Sequence, residues 1–427
     1  MASRLFLPSA ARGTLSPLRF SHPGALRLQA LILITFLAAS SAPTPLYSLY
    51  REQWNFSATM LTVIFGAYAI SVLLALLMLG SISDHIGRRP VIVAALLLDA
   101  ASMVVFMTAS TVPLLIAARM LQGWATGAAT SALAAGLTDL DRQRSPLINS
   151  VAPMAGLALG ALGTSVLVQY APAPLQLSFL ILAVILFIQA GAACFLPETA
   201  ARRGGAITAL LPTVTVPRHA WKVLLLIAPI DIAAWALGGF YLSLGPTLVG
   251  RITGIHSPVI GGVMVFALTT SAALAVLALR PWAPQRMLIT GATALMLGVA
   301  VTLGGIRTGV PALFFLGIVF AGAGFGLGFL GALRTLLPVA QPQERAGLMA
   351  AFYILSYLAF SLPAVAAGAM TNAFGLIAAS YCYGAGLMVL AGAALIGARL
   401  FPFDQSASGA RAGMAPSDGS VSRCGQR

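Results

Sequence analysis

The sequence predicts an all-α integral membrane protein with twelve transmembrane helices arranged in two six-helix halves. Of its 427 residues only 8% are charged and 59% are hydrophobic, and the mean hydropathy is +0.94. Soluble proteins carry about 25% charged residues. Sustained apolar runs of about 20 residues are membrane-spanning helices, because lipid cannot satisfy an unpaired backbone group. Composition alone therefore places this chain in a membrane.

Twelve apolar runs of suitable length follow one another along the chain. A helix rises about 1.5 Å per residue, so about 20 residues cross the hydrocarbon core of a bilayer. We predict spans over residues 28–48, 59–80, 90–110, 112–134, 148–170, 175–197, 221–247, 258–280, 287–306, 310–337, 346–370 and 375–401.

Basic residues are distributed asymmetrically between the loops on the two sides. If both termini share one side, 20 of the 24 basic residues fall there, and only Arg51, Arg251 and Arg307 fall opposite. Basic loops stay in the cytoplasm, so both termini are predicted to be cytoplasmic. The net charge of +14 thus reflects membrane topology and not nucleic-acid binding. The basic residues are almost all arginine, which is typical of a GC-rich bacterial genome. We therefore expect the inner (cytoplasmic) membrane of a bacterium.

The longest interruption between spans lies in the middle of the chain. Residues 201–220 are rich in Gly, Pro, Thr and Arg, as is typical of a cytoplasmic linker. Two six-helix halves are a transporter layout in which the substrate binds between them near the bilayer midplane. We predict a cytoplasmic N-terminal tail over 1–27, helical halves over 28–200 and 221–401, and a disordered cytoplasmic tail over 402–427.

The segment "GSISDHIGRR" concentrates charge between the second and third spans. It resembles the signature loop of the major facilitator superfamily, with Gly80, Asp84, Gly87, Arg88 and Arg89 at the matching positions. The resemblance extends to the span count and the linker position, and it implies a twelve-helix transporter. In this family the loop is thought to lock the cytoplasmic gate when the transporter faces outward.

The resemblance also implies partners for this loop. Asp84 is expected near the start of the eleventh helix, where the helix dipole and Arg345 favour a negative charge. Arg88 is expected to pair with Asp139 or Asp141, which follow the fourth span. Exposed ion pairs of this kind contribute about 0–1 kcal/mol each, which suits a gate that must reopen.

Two further motifs support the resemblance, and one signature is degraded. "ARMLQGWATGAA" is similar to the family's Arg-x-x-Gln-Gly pattern, through Arg119 and Gln122, and "LPET" ends at Thr199 after the sixth span. Drug/proton antiporters of the superfamily carry a Gly-Pro pair in the fifth span, but here Ala161 follows Gly160. The first span also lacks an acid, so the motifs leave multidrug export open.

Three ionisable residues lie inside predicted spans, where a charge is costly and indicates function. By the resemblance, Arg119 and Asp231 come from cavity-lining helices of opposite halves. Asp231 lies near the midplane, where a carboxyl group could take up and release a proton during the cycle. Arg119 could act on that carboxyl, hold an anionic substrate or brace the interior. Asp99 is a secondary candidate for coupling, or a partner of Arg119 on the adjacent helix.

Aromatic residues accompany one of these charges. Trp235 lies four residues after Asp231 and so shares its helix face, and Phe325 lies in the tenth span. A carboxylate beside aromatic rings suits an aromatic or cationic organic molecule. Aromatic residues at helical spacing also serve packing alone, and the sequence leaves both readings open.

These features together predict a secondary active transporter of a small organic solute that works by alternating access. We expect coupling to protons, with export by antiport favoured over the alternative, proton-coupled uptake of a metabolite such as an organic acid or sugar. The four histidines are scattered and the ten acids form no cluster, so neither an enzyme nor a metal site is expected. No ATP-binding loop is found. The expected partners are the substrate, protons and membrane lipids, with no cofactor and no nucleic acid, and the chain is expected to be a monomer.

Overall fold

The computed structural model describes residues 20–201, 204–205, 210–212, 214–255, 257–341 and 343–400. Within these ranges the chain is helical, and no β-strand is present. The predicted disordered tail over 402–427 and most of the predicted N-terminal tail over 1–27 lie outside the described residues. So does part of the linker, namely residues 202–203, 206–209 and 213. The division into domains at this linker stays a prediction.

Twelve long helices, α1 to α12, follow the predicted order of spans. Their bounds are His22–Ser41, Ala58–Leu79, Arg88–Thr108, Val112–Leu140, Ser145–Tyr170, Leu177–Ala193, Trp221–Ser243, Pro258–Leu279, Pro284–Thr308, Pro311–Leu336, Arg345–Phe374 and Leu376–Leu400. Shorter helices cover Tyr47–Trp54, Ile82–Ile86 and Gly245–Thr253, and single 3₁₀ turns cover Thr44–Leu46 and Leu337–Val339.

Ten of the twelve helical segments are long and apolar enough to cross a membrane by length and composition. The two others are α4, which has 29 residues but contains Arg119 and Gln122 among many small residues, and α6, which is apolar but has 17 residues. The all-α membrane fold with twelve helices is therefore confirmed, although several boundaries differ from those predicted.

Proline explains where several helices begin or end. Prolines occupy the first turn of α4, α5, α8, α9 and α10, where the missing N–H costs no hydrogen bond. Pro43 and Pro45 follow α1, which ends at Ser41, and the predicted first span over 28–48 therefore breaks into a helix, a turn and a second short helix. Pro246 similarly starts a separate helix after α7, so the predicted seventh span over 221–247 ends at Ser243.

We describe the long helices as two groups by their order in the chain, α1–α6 and α7–α12. Within the first group α4 packs against α2 and α3, α1 against α5, and α3 against α6. Within the second, α10 packs against α8 and α9, α7 against α11, and α9 against α12. The two groups meet mainly along α2 with α11 and α5 with α8.

The two membrane faces differ in how these groups are joined. We call the face that carries residues 80–87, between α2 and α3, the loop face. On the opposite face, the Asn372 side chain accepts a hydrogen bond from the Ala58 N–H (3.1 Å) and donates one to Thr59 Oγ1 (2.6 Å). Ser257 Oγ there donates to Gln169 Oε1 at 2.9 Å. Every hydrogen bond between described residues of the two groups lies at this opposite face.

Candidate functional site

The charged residues of the α2–α3 loop form a compact set of ion pairs. Arg88 pairs with Asp84 one turn earlier and with Asp139 at the end of α4, its Nε lying 3.3 Å from the Asp139 carboxylate. Arg88 also donates a hydrogen bond to Ser83 Oγ at 2.6 Å. The predicted pair of Arg88 with Asp139 is therefore present. Arg89 donates to the Cys194 carbonyl at the end of α6 (3.3 Å).

Glu198 fixes the start of α3 beside this loop. Its carboxylate accepts hydrogen bonds from the backbone N–H groups of Arg88 (2.7 Å) and Arg89 (3.2 Å), which have no partner within the helix. Gly87 adopts φ +107°, and a Cβ at this position would collide with the same carboxylate. The sequence motif "LPET" contains Glu198 but does not show that it binds the start of α3. The signal that could have indicated this role is the preference of helix N-termini for negatively charged side chains.

No hydrogen bond or ion pair between described residues joins Asp84 to α11. Its side chain is 49% exposed, and its ion-pair partner is Arg88 of the same loop. Arg345 instead donates to the Ala340 carbonyl at 3.4 Å, and Thr215 of the linker lies against Gly347 in the first turn of α11. The predicted position of Asp84 at the start of α11 is therefore not adopted here.

Arg119 is fully buried among the first six helices. Its Nε donates to the Tyr47 hydroxyl (2.7 Å), and its Nη1 donates to the Ser40 carbonyl (2.8 Å) and to Gln122 Oε1 (2.7 Å). Gln122 in turn donates to the Ala39 carbonyl at 2.9 Å. Aromatic rings also surround the guanidinium, including that of Tyr68 at 5.3 Å. The arginine therefore ties the end of α1 to α4 and is enclosed by protein.

Asp99 lies on the face of α3 that is turned towards α4. It is buried, accepts a hydrogen bond from Ser102 (3.0 Å) and interacts electrostatically with Arg119, although no ion pair within 4.0 Å joins them. Phe106, two turns further along α3, stacks on the Arg119 guanidinium at 5.8 Å. Asp99 Oδ2 and Arg119 Nη2 both lack a hydrogen-bond partner. The two charges thus form a buried, loosely matched pair within one group of helices.

Asp231 occupies the corresponding interior of the second group. The carboxylate is buried and accepts one hydrogen bond, from Ser356 Oγ of α11 at 2.8 Å. The indole N–H of Trp235, one turn further along α7, approaches the same carboxylate, although neither this N–H nor Asp231 Oδ1 meets hydrogen-bond geometry with any group. Ser356 was not identified from the sequence, because nothing in a lone serine indicates that it will face α7.

Aromatic side chains from two helices, α10 and α11, surround Trp235. Ring centroids lie 6.2 Å away at Phe325, 5.5 Å at Phe329, 5.2 Å at Tyr357 and 5.4 Å at Phe360. We call these five residues the aromatic cluster. The sequence predicts Trp235 and Phe325 as residues of the substrate cavity, but it does not identify Tyr357 and Phe360. Their spacing of three residues on α11, close to Ser356, was the signal that could have found them.

The aromatic cluster reaches the boundary between the two groups of helices. Phe360 contacts Phe65 of α2, with ring centroids 4.9 Å apart. Trp235 and Tyr357 remain partly exposed, whereas the Asp231 carboxylate behind them is covered. The arrangement presents aromatic faces at the interface and holds one acidic group directly behind them.

Comparison with known sequences identifies the family. The sequence model of the Major Facilitator Superfamily matches residues 30–279, which is more than half of the chain. The chain belongs to the Major Facilitator Superfamily. No curated protein matches the chain in sequence.

Solved transporter structures share the fold of this superfamily member. The human organic anion transporter MFSD10 (TETRAN) superposes with a TM-score of 0.64 at 18% identity, covering 88% of this chain and 100% of its own. The nucleoside transporter NupG superposes with a TM-score of 0.63 at 14% identity, and the match covers 88% of this chain and 97% of NupG. A bacterial homolog of the human lysosomal transporter Spinster, in an inward-facing and occupied conformation, superposes with a TM-score of 0.69 at 12% identity. The match covers 88% of this chain and 96% of that homolog. At these identities the likeness shows the fold alone.

A separate small cavity lies within the second helix group of this Major Facilitator Superfamily protein, between α7, α9 and α12. Its lining is mostly apolar and aromatic, and its Tyr241 hydroxyl is satisfied by Thr302 at 3.3 Å. None of the residues that line it is charged. Among the described residues, no group of three or more His, Cys, Asp or Glu side chains is placed to hold a metal ion. The interface around Trp235 and Asp231 is therefore the better candidate for the transport site.

Proposed function

We propose that this protein is a proton-coupled secondary transporter of a small organic solute, with Asp231 as the proton-coupling group and export by antiport as its direction. The observation on which the proposal rests is the carboxylate without a counter-charge: Asp231 is buried near the middle of α7, its neighbours there are Ser356 and Trp235, and no basic group among the described residues lies within ion-pair distance. A buried carboxylate without a counter-charge is strongly destabilised in its ionised form. A proton that binds and leaves this group supplies the coupling.

The distribution of contacts between the helix groups supports alternating access. Hydrogen bonds from Asn372 to α2 and from Ser257 to α5 hold the opposite face closed. At the loop face, Asp84 pairs with Arg88, and no hydrogen bond or ion pair between described residues joins it to α11, as expected if the lock implied by the family resemblance is released. By the positive-inside distribution the loop face is cytoplasmic. We interpret this conformation as the cytoplasm-facing state, which in an exporter is the state that receives substrate.

Uptake by proton symport is the second candidate, and one observation favours it. Arg119 Nη2 is a free donor within the first six helices, as a site for an anionic metabolite would require. However, the guanidinium is fully enclosed, and three ring faces and Asp99 surround it. These surroundings give Arg119 a structural role in this conformation, so export is favoured.

Proton movement in proteoliposomes tests the proposal. Purified protein is reconstituted with a pH-sensitive dye inside the vesicles, and pooled small organic compounds are screened for proton flux. Wild type is compared with Asp231→Asn and with the control Glu52→Gln, which removes an exposed acid far from the site. We expect flux with a substrate in wild type and in the control, and none in Asp231→Asn. Substrate counterflow without proton flux, unaffected by Asp231→Asn, would show a facilitator and refute the coupling.

A further inference from the structure

The buried charges of the protein do not balance. Three charged side chains are buried among the described residues: Asp99, Arg119 and Asp231. The first two carry opposite charges and lie within one group of helices, on α3 and α4, which pack against each other. Asp231 is left as one uncompensated negative charge in the interior of the other group.

No basic residue of the second helix group can compensate Asp231. These residues all lie in loops or at helix ends; on α7 itself, the nearest is Lys222, nine residues away and so about 14 Å along the axis. Away from the helix ends, the titratable groups on the long helices packed against α7 are tyrosines and one cysteine: Tyr68 on α2, Tyr353 and Tyr357 on α11, and Tyr381, Cys382 and Tyr383 on α12. Tyrosine, with an ordinary pKa of about 10, supplies no positive charge. The second helix group therefore supplies no positive charge to neutralise Asp231.

The side chains in front of the carboxylate are suited to receive one. Trp235, Tyr357 and Phe329 are partly exposed. The ring centroids of Tyr357 and Phe329 lie 5.2 Å and 5.5 Å from that of Trp235. Ring faces attract organic cations, with energies of about 2 kcal/mol or more once water is excluded. The aromatic cluster thus lies at the boundary between the two helix groups, and a single acidic group lies directly behind it, inside the second group.

We propose that the transported substrate is an organic cation bearing an aromatic ring, bound on the faces of Trp235 and Tyr357 and neutralised by Asp231. This inference rests on the proposed function, because it takes Asp231 to be the coupling group. When the cation binds, Asp231 releases its proton to solvent; when the cation leaves on the other side, a proton returns to the carboxylate. One proton is exchanged for one monovalent cation, so no charge moves across the membrane in a full cycle.

An anionic substrate fits these surroundings poorly. The interior has one positive group, and three of the N–H donations of Arg119 already go to Tyr47, Ser40 and Gln122. Its remaining nitrogen, Nη2, is buried inside the first group of helices. An anion near Trp235 would instead lie beside Asp231, which in its protonated form offers no positive charge to pair with the anion and in its ionised form repels it.

Binding to purified protein in nonionic detergent tests the substrate class without requiring transport. Isothermal titration compares benzyltrimethylammonium with phenylacetate, two probes of similar size and opposite charge. We expect the cation to bind, with an affinity that falls as the pH is lowered and protons compete, and phenylacetate not to bind. Asp231→Asn should weaken cation binding at least tenfold, Asp231→Glu should retain most of it, and the control Glu52→Gln should leave it unchanged. Thermal unfolding of each variant checks that the fold persists.

The outcomes separate this inference from the proposed function. Tighter binding of phenylacetate than of the cation, or cation binding that is equal in wild type and in folded Asp231→Asn, would overturn the substrate class. Cation binding that requires Asp231, without any proton flux in proteoliposomes, would uphold the substrate class and refute coupled transport. Proton flux driven only by an anionic or neutral compound would uphold coupled transport and refute the inference drawn here.

Discussion

Removing the Glu198 carboxylate is predicted to loosen the start of α3 and with it the charged loop. The carboxylate accepts two backbone hydrogen bonds, from Arg88 at 2.7 Å and from Arg89 at 3.2 Å. Hydrogen bonds to a charged group contribute about 1.5–3 kcal/mol when well formed, and less where water competes. Because Glu198 is partly exposed, we expect Glu198→Ala to cost about 2 kcal/mol locally, and Glu198→Gln, which keeps one acceptor, about 1 kcal/mol.

Hydrogen exchange measures this local cost directly. A loss of about 2 kcal/mol raises the population of the locally open state about 30-fold, and 1 kcal/mol raises it about 5-fold. The amides in the first turn of α3 should therefore exchange faster by these factors in Glu198→Ala and Glu198→Gln. Peptides from α9, far from the loop, provide the internal reference, and Glu52→Ala provides a matched control for loss of an acid. Unchanged protection of residues 88–92 in folded Glu198→Ala would refute the capping role.

Three further perturbations follow from the same contacts. Gly87→Ala should lower the free energy of unfolding by about 1–3 kcal/mol. The loss should exceed that of the control Gly309→Ala, because Gly309 has φ +67° but no neighbour within 4 Å. Equal effects would contradict the clash with Glu198. Arg119→Ala should cost about 3–5 kcal/mol by leaving Asp99 uncompensated, and adding Asp99→Asn should recover part of this loss in thermal unfolding, whereas additive losses would argue against the pairing. Asn372→Ala should favour opening of the opposite face, because two hydrogen bonds of about 1 kcal/mol each are removed. Thiol labelling of a cysteine introduced at position 62 should then be up to about 30-fold faster; an unchanged labelling rate would contradict the clamp.

Membrane physics explains why the order of the helices was predictable and their ends were not. Lipid forces each crossing segment to be a long apolar helix, so twelve helices could be counted from hydropathy alone. Local chemistry sets the ends: Pro43 and Pro45 break the first predicted span, and α6 ends at Ala193 instead of residue 197. A hydropathy window averages over such single residues.

Tertiary contacts explain what the sequence could not supply about the site. The motif identified Arg119 and Gln122, but their enclosure by Tyr47 and the carbonyls of Ser40 and Ala39 depends on how α1 ends. Asp231 and Trp235 could be placed on one face because they are four residues apart on one helix. Tyr357, by contrast, comes from α11, more than a hundred positions later, so its contact with Trp235 depends on helix packing.

The exchange of a proton for a cation at Asp231 is tested most directly by counting protons. Purified protein is placed in weakly buffered nonionic detergent near pH 6 with an external pH dye, and benzyltrimethylammonium is added to saturation. The account predicts release of about one proton per bound cation in wild type and in Glu52→Gln, and none in Asp231→Asn, since buried carboxylates without a counter-charge hold a proton until a cation arrives. Cation binding without proton release in wild type, or equal release in Asp231→Asn, would contradict it.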